Sequence, residues 1–291
     1  MTTKASDMIQ QALARGIQIC EIVLEEEVRQ TGLKADVLRE KMKKNMEVME
    51  QSAQKALENP QKTLGGIIGS EAKKLTGFRH QGLSICGNVI NLLMARAFST
   101  SEVNASMGKI CAAPTAGSSG ILPAVIITAA EVLEADEKIK INALFTAAGI
   151  GRIIATHATI SGAEGGCQAE CGSAAAMAAG AVVEMAGGTP EQIFHAAAIA
   201  LKNIMGLICD PVAGLVESPC AKRNASGAVN AFISAEQALA GIQSVIPFDE
   251  VVEAMKFVGK AIPYEFRETA LGGIAATDTG KEITKRIFNK T

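Results

Sequence analysis

A chain of 291 residues with no Trp, one Tyr (Tyr264) and 3% aromatic residues cannot build its interior from large rings. Its apolar fraction is nonetheless 48%, so a sizeable core is available and must be assembled from Ala, Ile, Leu, Val and Met. Those side chains, interleaved with 28 glycines, suit helices that cross at close backbone approach. Strand signals are sparse, because the short Val-rich alternations always sit inside helical spacing. The expected fold class is mostly α: an Ala/Gly-rich helical domain preceded by an N-terminal helical hairpin.

The boundaries follow from composition. Residues 1–60 are charged and place Val37, Leu38, Met42, Met46, Met49, Ala53 and Leu57 on one helical face, and Pro60 ends the pattern. This reads as a helical hairpin that packs on the body or on a partner. Residues 61–82 form a Gly- and Lys-bearing connector. The main helical domain spans 61–291, unless 1–291 is one continuous domain. Thr189-Pro190-Glu191-Gln192 starts a helix, with Thr as cap and Pro at the first position, that runs to about Leu207. Cys209 then lies just past its end. Ala225–Ala240 forms another helix with Cys220 just before it, and Asp249 opens a further one toward Ala261.

A net charge of −2 and a pI of about 6.0 supply no basic stripe, which argues against a nucleic-acid partner. Mean hydropathy is +0.22, but the most apolar stretches, 141–160 and 172–187, carry Arg152 and Glu184 and are rich in Ala and Gly. They read as buried helices rather than membrane spans. The polar start MTTKASDMIQQ has no apolar leader segment. Seven cysteines without a secretory signal point to reduced thiols or metal ligands in a cytoplasmic protein.

Three of those cysteines have unusual surroundings: Cys167 in SGAEGGCQAE, Cys209 in GLICDPVAGL and Cys220 in ESPCAKRNASG. Pro211 and Pro219 break helical pattern beside two of them, where a turn can aim a side chain. Lys222 and Arg223 would favour a thiolate or an anionic cluster. Three converging thiolates could hold three irons of a cubane and leave a fourth open as a Lewis acid. The spacing matches neither a ferredoxin run nor a paired zinc knuckle, and a buried inert thiol explains any one of them as well. A second segment, GKICAAPTAGSSGILP (108–123), puts Thr115, Ser118 and Ser119 before a helix. Free backbone N–H groups there suit a carboxylate, and a tight Gly/Ser turn explains the composition equally.

With TSEVNASMGKICAAPTAGSSGILPAV, SGAEGGCQAE, NIMGLICDPVAGLVESPCAKRNASGAVNA and RETALGGIAATDTGKEI, the chain resembles the iron–sulfur-dependent L-serine dehydratases over essentially its whole length. The resemblance is to the alpha chain of the two-chain type. It implies a lyase that converts L-serine to pyruvate and ammonia with a [4Fe–4S] cluster, without pyridoxal phosphate. It implies that Cys167, Cys209 and Cys220 are the cluster ligands and that Thr115, Ala116, Gly117, Ser118 and Ser119 bind substrate. L-threonine or L-cysteine are alternative substrates, and a non-catalytic iron–sulfur sensor or scaffold is the reading from a different class.

Two departures from the pattern stand out. Cys171 occupies a place where relatives commonly carry an apolar residue, and is read as a packing cysteine. The His-containing segment of single-chain relatives is missing, so the resemblance assigns the general base to a beta chain, in a heterodimer or larger assembly. Within this chain His157 is the candidate base, with a packing role the better reading; His195 and His80 are read as structural and connector residues. Lys222, Arg223 and Asn224 are expected to support the cluster or the substrate carboxylate. Cys20, Cys86 and Cys111 are expected to be ordinary buried thiols.

Overall fold

The computed structural model describes residues 4–289, and among them are thirteen α-helices and no strand. In chain order these are α1 (Ala5–Arg15), α2 (Ile19–Thr31), α3 (Ala35–Glu58), α4 (Glu71–His80), α5 (Gly87–Ala105), α6 (Ile121–Val132), α7 (Glu137–His157) and the single turn α8 (Gly162–Gly165). They continue with α9 (Ser173–Met185), α10 (Pro190–Asn203), α11 (Cys220–Leu239), α12 (Phe248–Ala261) and α13 (Asp278–Phe288). The mostly α expectation holds.

Helix α9 is the centre of the bundle. Every residue from Ser173 to Glu184 is buried, and α6, α7, α10 and α11 pack around it. Its sequence, SAAAMAAGAVVEM, explains how so many helices fit, because Ala and Gly side chains let neighbouring axes come close. The core that results is aliphatic, as the composition requires, and Phe194 and Phe248 pair within it at a centroid separation of 5.7 Å.

The two charges noticed in the apolar stretches have buried partners. Glu184 accepts hydrogen bonds from the Thr146 hydroxyl (2.6 Å), the Ile19 amide (3.0 Å) and the Cys20 amide (3.3 Å). Arg152 pairs with Glu26, itself only 2% exposed. Helix α7 is long and apolar enough to cross a membrane, but it lies against α2 and α9 with most of its apolar surface inside the bundle.

Residues 4–60 hold three helices rather than the expected hairpin. α1 and α2 each end at a glycine in the left-handed conformation, Gly16 (φ 62°) and Gly32 (φ 68°), which turn the chain twice before α3 begins. Met8, Ile19, Val23, Met46 and Met49 belong to the same apolar cluster as residues of α7 and α9. On α3, Leu38, Met46, Met49, Ala53 and Leu57 are buried, whereas Val37, in the first turn, is exposed. The connector is partly helical, since α4 lies within it. α10 stops at Asn203, four residues before the expected end, and Cys220 is the first residue of α11 rather than a residue of the preceding loop.

Where α6 begins, its backbone presses on α5. A Cβ added at Gly120 would lie 2.5 Å from the Ala97 carbonyl oxygen and 3.0 Å from Asn224 Oδ1. Gly120 has ordinary right-handed angles, so alanine is excluded there by contact rather than by φ. Gly120→Ala should cost about 1–3 kcal/mol and lower the melting temperature by roughly 2–10 °C. Thermal unfolding followed by circular dichroism measures this; unchanged melting would refute the close α5–α6 approach.

Candidate active site

Cys167 starts a π-helical turn, Gln168–Gly172, that runs directly into α9. Such turns insert an extra residue into a helix and are common at functional sites. Gly166 precedes it with φ 75°, and a Cβ there would lie 2.8 Å from the Leu207 carbonyl oxygen. This close approach lets two hydrogen bonds form. The Gln168 amide donates to the Leu207 carbonyl (3.0 Å), and Gln168 Oε1 accepts from the Gly206 amide (2.8 Å). The loop after α10 is thereby sewn to the Cys167 turn, which brings Cys209 beside Cys167.

Cys209 is fixed from its other side. Its amide donates to the Phe266 carbonyl and its carbonyl accepts from the Glu268 amide, both at 2.8 Å. Asp210 accepts from the Ile274 amide (2.8 Å) and from Arg223 (2.8 Å), and Arg223 also donates to the Ile208 carbonyl (2.8 Å). The RETALGGIAATD segment therefore buttresses Cys209, and Arg223 on α11 ties the Cys209 loop to the helix that Cys220 begins.

The result is a group of four thiols. Cys167, Cys209 and Cys220 are 3%, 3% and 8% exposed, and Cys171 is 1% exposed. The sulfurs of Cys167 and Cys171 lie 3.4 Å apart. Hydrogen bonds from Cys171 and Cys209, aided by the charge of Arg223, hold the Cys167 thiol well below its ordinary pKa. The other members shift the opposite way. Cys209 and Cys171 are raised, first by their bonds to Cys167 and then by burial, and Cys220 is pushed up to about 12, mainly by burial. Among the described residues no three His, Cys, Asp or Glu side chains gather tightly enough to hold a single metal ion. A cubane is wider than an ion, and an all-sulfur donor set with an arginine beside it has the chemistry that a polynuclear iron–sulfur group requires.

The loop at 115–119 is joined to this group through a residue that the sequence reading did not single out. Glu170, three positions after Cys167, accepts a 2.6 Å hydrogen bond from the Thr115 hydroxyl, and its Oε2 lies 4.0 Å from Cys209 Sγ. A Cβ at Gly117 would stand 2.8 Å from Glu170 Oε1, so the loop rests directly on the carboxylate. Burial raises the Glu170 carboxyl to about 7 despite the Thr115 bond. Glu170 could have been noticed from its spacing, because a residue three after Cys167 shares its side of any helical turn.

Within the loop, Thr115 and Ser118 hydroxyls lie 3.1 Å apart, and Ser119 Oγ donates to the Ala116 carbonyl (2.8 Å). Ser118 and Ser119 are buried, Thr115 and Gly117 are half-buried, and Ala116 is exposed. Asn224 locks this loop to α11. Its Nδ2 donates to the Gly117 carbonyl (2.7 Å), and its Oδ1 accepts from the Gly120 amide (2.8 Å). Asn224 and Arg223 therefore both touch the site's framework. Lys222 is exposed and lines a different groove with Phe98, Val229 and Ile233.

The histidines lie elsewhere. His157 ends α7 in a groove with Lys4, Asp249 and Lys256, which contains no cysteine. His195 Nδ1 accepts from the Ser244 amide (3.4 Å), and His80 is at the exposed end of α4. Of the three cysteines expected to be ordinary buried thiols, Cys20 is buried, Cys111 is partly buried and Cys86 is exposed, at the start of α5 where no neighbouring helix covers it.

Residues 14–275 match the family described as serine dehydratase alpha chain. The chain is 51% identical over 290 residues to the L-serine dehydratase alpha chain of Peptoniphilus asaccharolyticus, covering 100% of this chain and 99% of that protein. It is 48% identical over 288 residues to the probable L-serine dehydratase alpha chain of Bacillus subtilis, covering 99% and 96%. A Streptomyces coelicolor L-serine dehydratase is 44% identical over 181 residues, which are 62% of this chain and 40% of that protein.

Proposed function

Because this chain belongs to the serine dehydratase alpha-chain family, we propose that it is the cluster-bearing subunit of an L-serine dehydratase and that the chemistry occurs at Cys167, Cys209 and Cys220. The enzyme is an L-serine ammonia-lyase. Loss of the α-proton and the β-hydroxyl gives an aminoacrylate and water, and hydrolysis of the aminoacrylate yields pyruvate and ammonia. Hydroxide is a poor leaving group, so the C–O bond needs an electrophile. A [4Fe–4S] cluster on Cys167, Cys209 and Cys220 would supply a Lewis-acidic iron for the substrate's oxygen atoms.

The chain's own residues do the rest. The Arg223 guanidinium, beside Cys167, offsets the negative charge of clustered thiolates. The Thr115–Ser119 loop offers backbone N–H groups and a hydroxyl to the substrate carboxylate. Glu170 and Asn224 set the position of that loop over the cysteines. No histidine stands at the thiols, in keeping with a base supplied by a beta chain; the relatives' designation as alpha chains supports such a partner. A cytoplasmic setting suits seven unpaired cysteines.

The observation that carries this reading is the convergence of buried cysteines from three separate segments beside Arg223 and the Thr115 loop. Anaerobically purified alpha chain with its beta chain should be brown, hold about four irons per alpha chain, and change its visible spectrum on addition of L-serine. Iron chelation should abolish pyruvate formation and reconstitution should restore it. A colourless, iron-free preparation with full activity would remove the cluster from the mechanism.

A further inference from the structure

The family resemblance accounts for three thiols of the group and leaves the fourth, Cys171, without a role. Cys171 is no ordinary core residue. Its sulfur lies 3.4 Å from that of Cys167, whereas the side chains of most core cysteines touch only apolar neighbours. The two residues are four apart on one π-helical turn, a separation whose backbone span a disulfide can bridge. Closing the bond requires the sulfurs to approach to about 2 Å, and glycines at 165, 166 and 172 flank the turn on both sides and allow it to tighten. A cavity of about 410 Å³, lined by Cys171, Arg223, Asn203 and Ser226, gives a small oxidant or thiol a way to the pair.

We propose that in the cluster-free chain Cys167 and Cys171 form a reversible disulfide, which masks one cluster ligand until it is reduced. In forming it the two thiols together lose two protons and two electrons and one S–S bond is made. Hydrogen peroxide accepts both and becomes two waters, and a dithiol reverses the step by becoming a cyclic disulfide itself. The neighbouring thiol also protects Cys167, because a sulfenic acid formed on it would be captured by Cys171 before further, irreversible oxidation. The consequence for cluster loading rests on the assignment of Cys167 as a ligand; the bond itself rests only on the pairing of the two sulfurs.

The test uses the full chain, depleted of iron without oxygen and treated with one equivalent of hydrogen peroxide. The thiol count in denaturant should fall by two from the seven of the reduced chain. A glutamate-specific protease cuts between Glu170 and Cys171, so the two flanking peptides should stay joined until a reductant is added. Iron and sulfide should enter the oxidised chain only after dithiothreitol treatment. Cys171→Val should show no joined peptides and, when reduced, should load iron like the parent. Separate peptides after peroxide, or a link from Cys167 to Cys209 instead, would overturn the proposal. So would a reduced Cys171→Val chain that cannot load iron, because Cys171 would then be a ligand. Failure of the reduced parent chain to bind iron would count against the cluster, and the joined peptides would still support the disulfide.

Discussion

Cys209→Ala is expected to give a folded, colourless subunit that forms no measurable pyruvate from L-serine in the presence of the proposed beta chain. Folding should survive because the backbone bonds of Cys209 to Phe266 and Glu268 do not involve its side chain and remain in the variant. Removing one sulfur from a buried site leaves a small void, worth roughly 1–2 kcal/mol, a small part of the stability of a bundle this size. The chemical loss is of another order. With two of the three proposed thiolate ligands a cluster would lose a third of its anchoring, and activity should fall at least ~10³-fold, beyond the 10–100-fold typical of losing a group that only supports a ligand. Iron and sulfide analysis, visible absorbance and circular dichroism read the three consequences separately. Retained turnover in an iron-free Cys209→Ala enzyme would end the Lewis-acid account.

Glu170→Ala should separate the loop from the cysteine group. The carboxylate is the only side chain shown to bond the Thr115 hydroxyl from the Cys167 turn, at 2.6 Å, and its removal frees the loop on one side while Asn224 still holds the other. We expect kcat/KM to drop by about 10²–10³-fold with iron content unchanged, the scale associated with misplacing a substrate-orienting element. Glu170→Gln keeps an oxygen that accepts from Thr115, so it should recover to within roughly tenfold of the parent. If Gln is as impaired as Ala, Glu170 acts through its charge or its proton rather than as a hydrogen-bond acceptor. If Ala matches the parent in both kcat and KM, the loop does not depend on Glu170.

These two residues also mark how far the sequence could be read. Cys209 was legible because its motif is local: a helix that must end, an Asp-Pro break, and a resemblance running through both flanks. Thr189 was legible for the same reason, and its capping box is present. Glu170 was missed, and Cys171 was read as a packing cysteine, because their placement depends on a helical turn that starts at Cys167, and GGCQAE carries no clear helix-start signal. Lys222 adjoins Arg223 in sequence, yet one step along α11 rotates a side chain by about 100°, so Arg223 meets the thiols while Lys222 faces solvent. His157 is ten residues before Cys167 but belongs to the far end of α7, where the chain turns away.

Composition and periodicity by themselves determined that this protein is a helical bundle with an Ala-rich interior, because 3% aromatic content and close-spaced small residues leave few other ways to fill a core. Motif content determined its family. Tertiary structure alone decided which residues share the site. The segments 115–120, 167–172 and 206–224 meet because Gln168 bonds to Gly206, Asn224 to Gly117 and Glu170 to Thr115, and such cross-links have no local signature. A hydrogen bond between residues a hundred positions apart depends on how whole helices pack, and helix packing is set by the sum of many small apolar contacts rather than by the few residues that carry the chemistry.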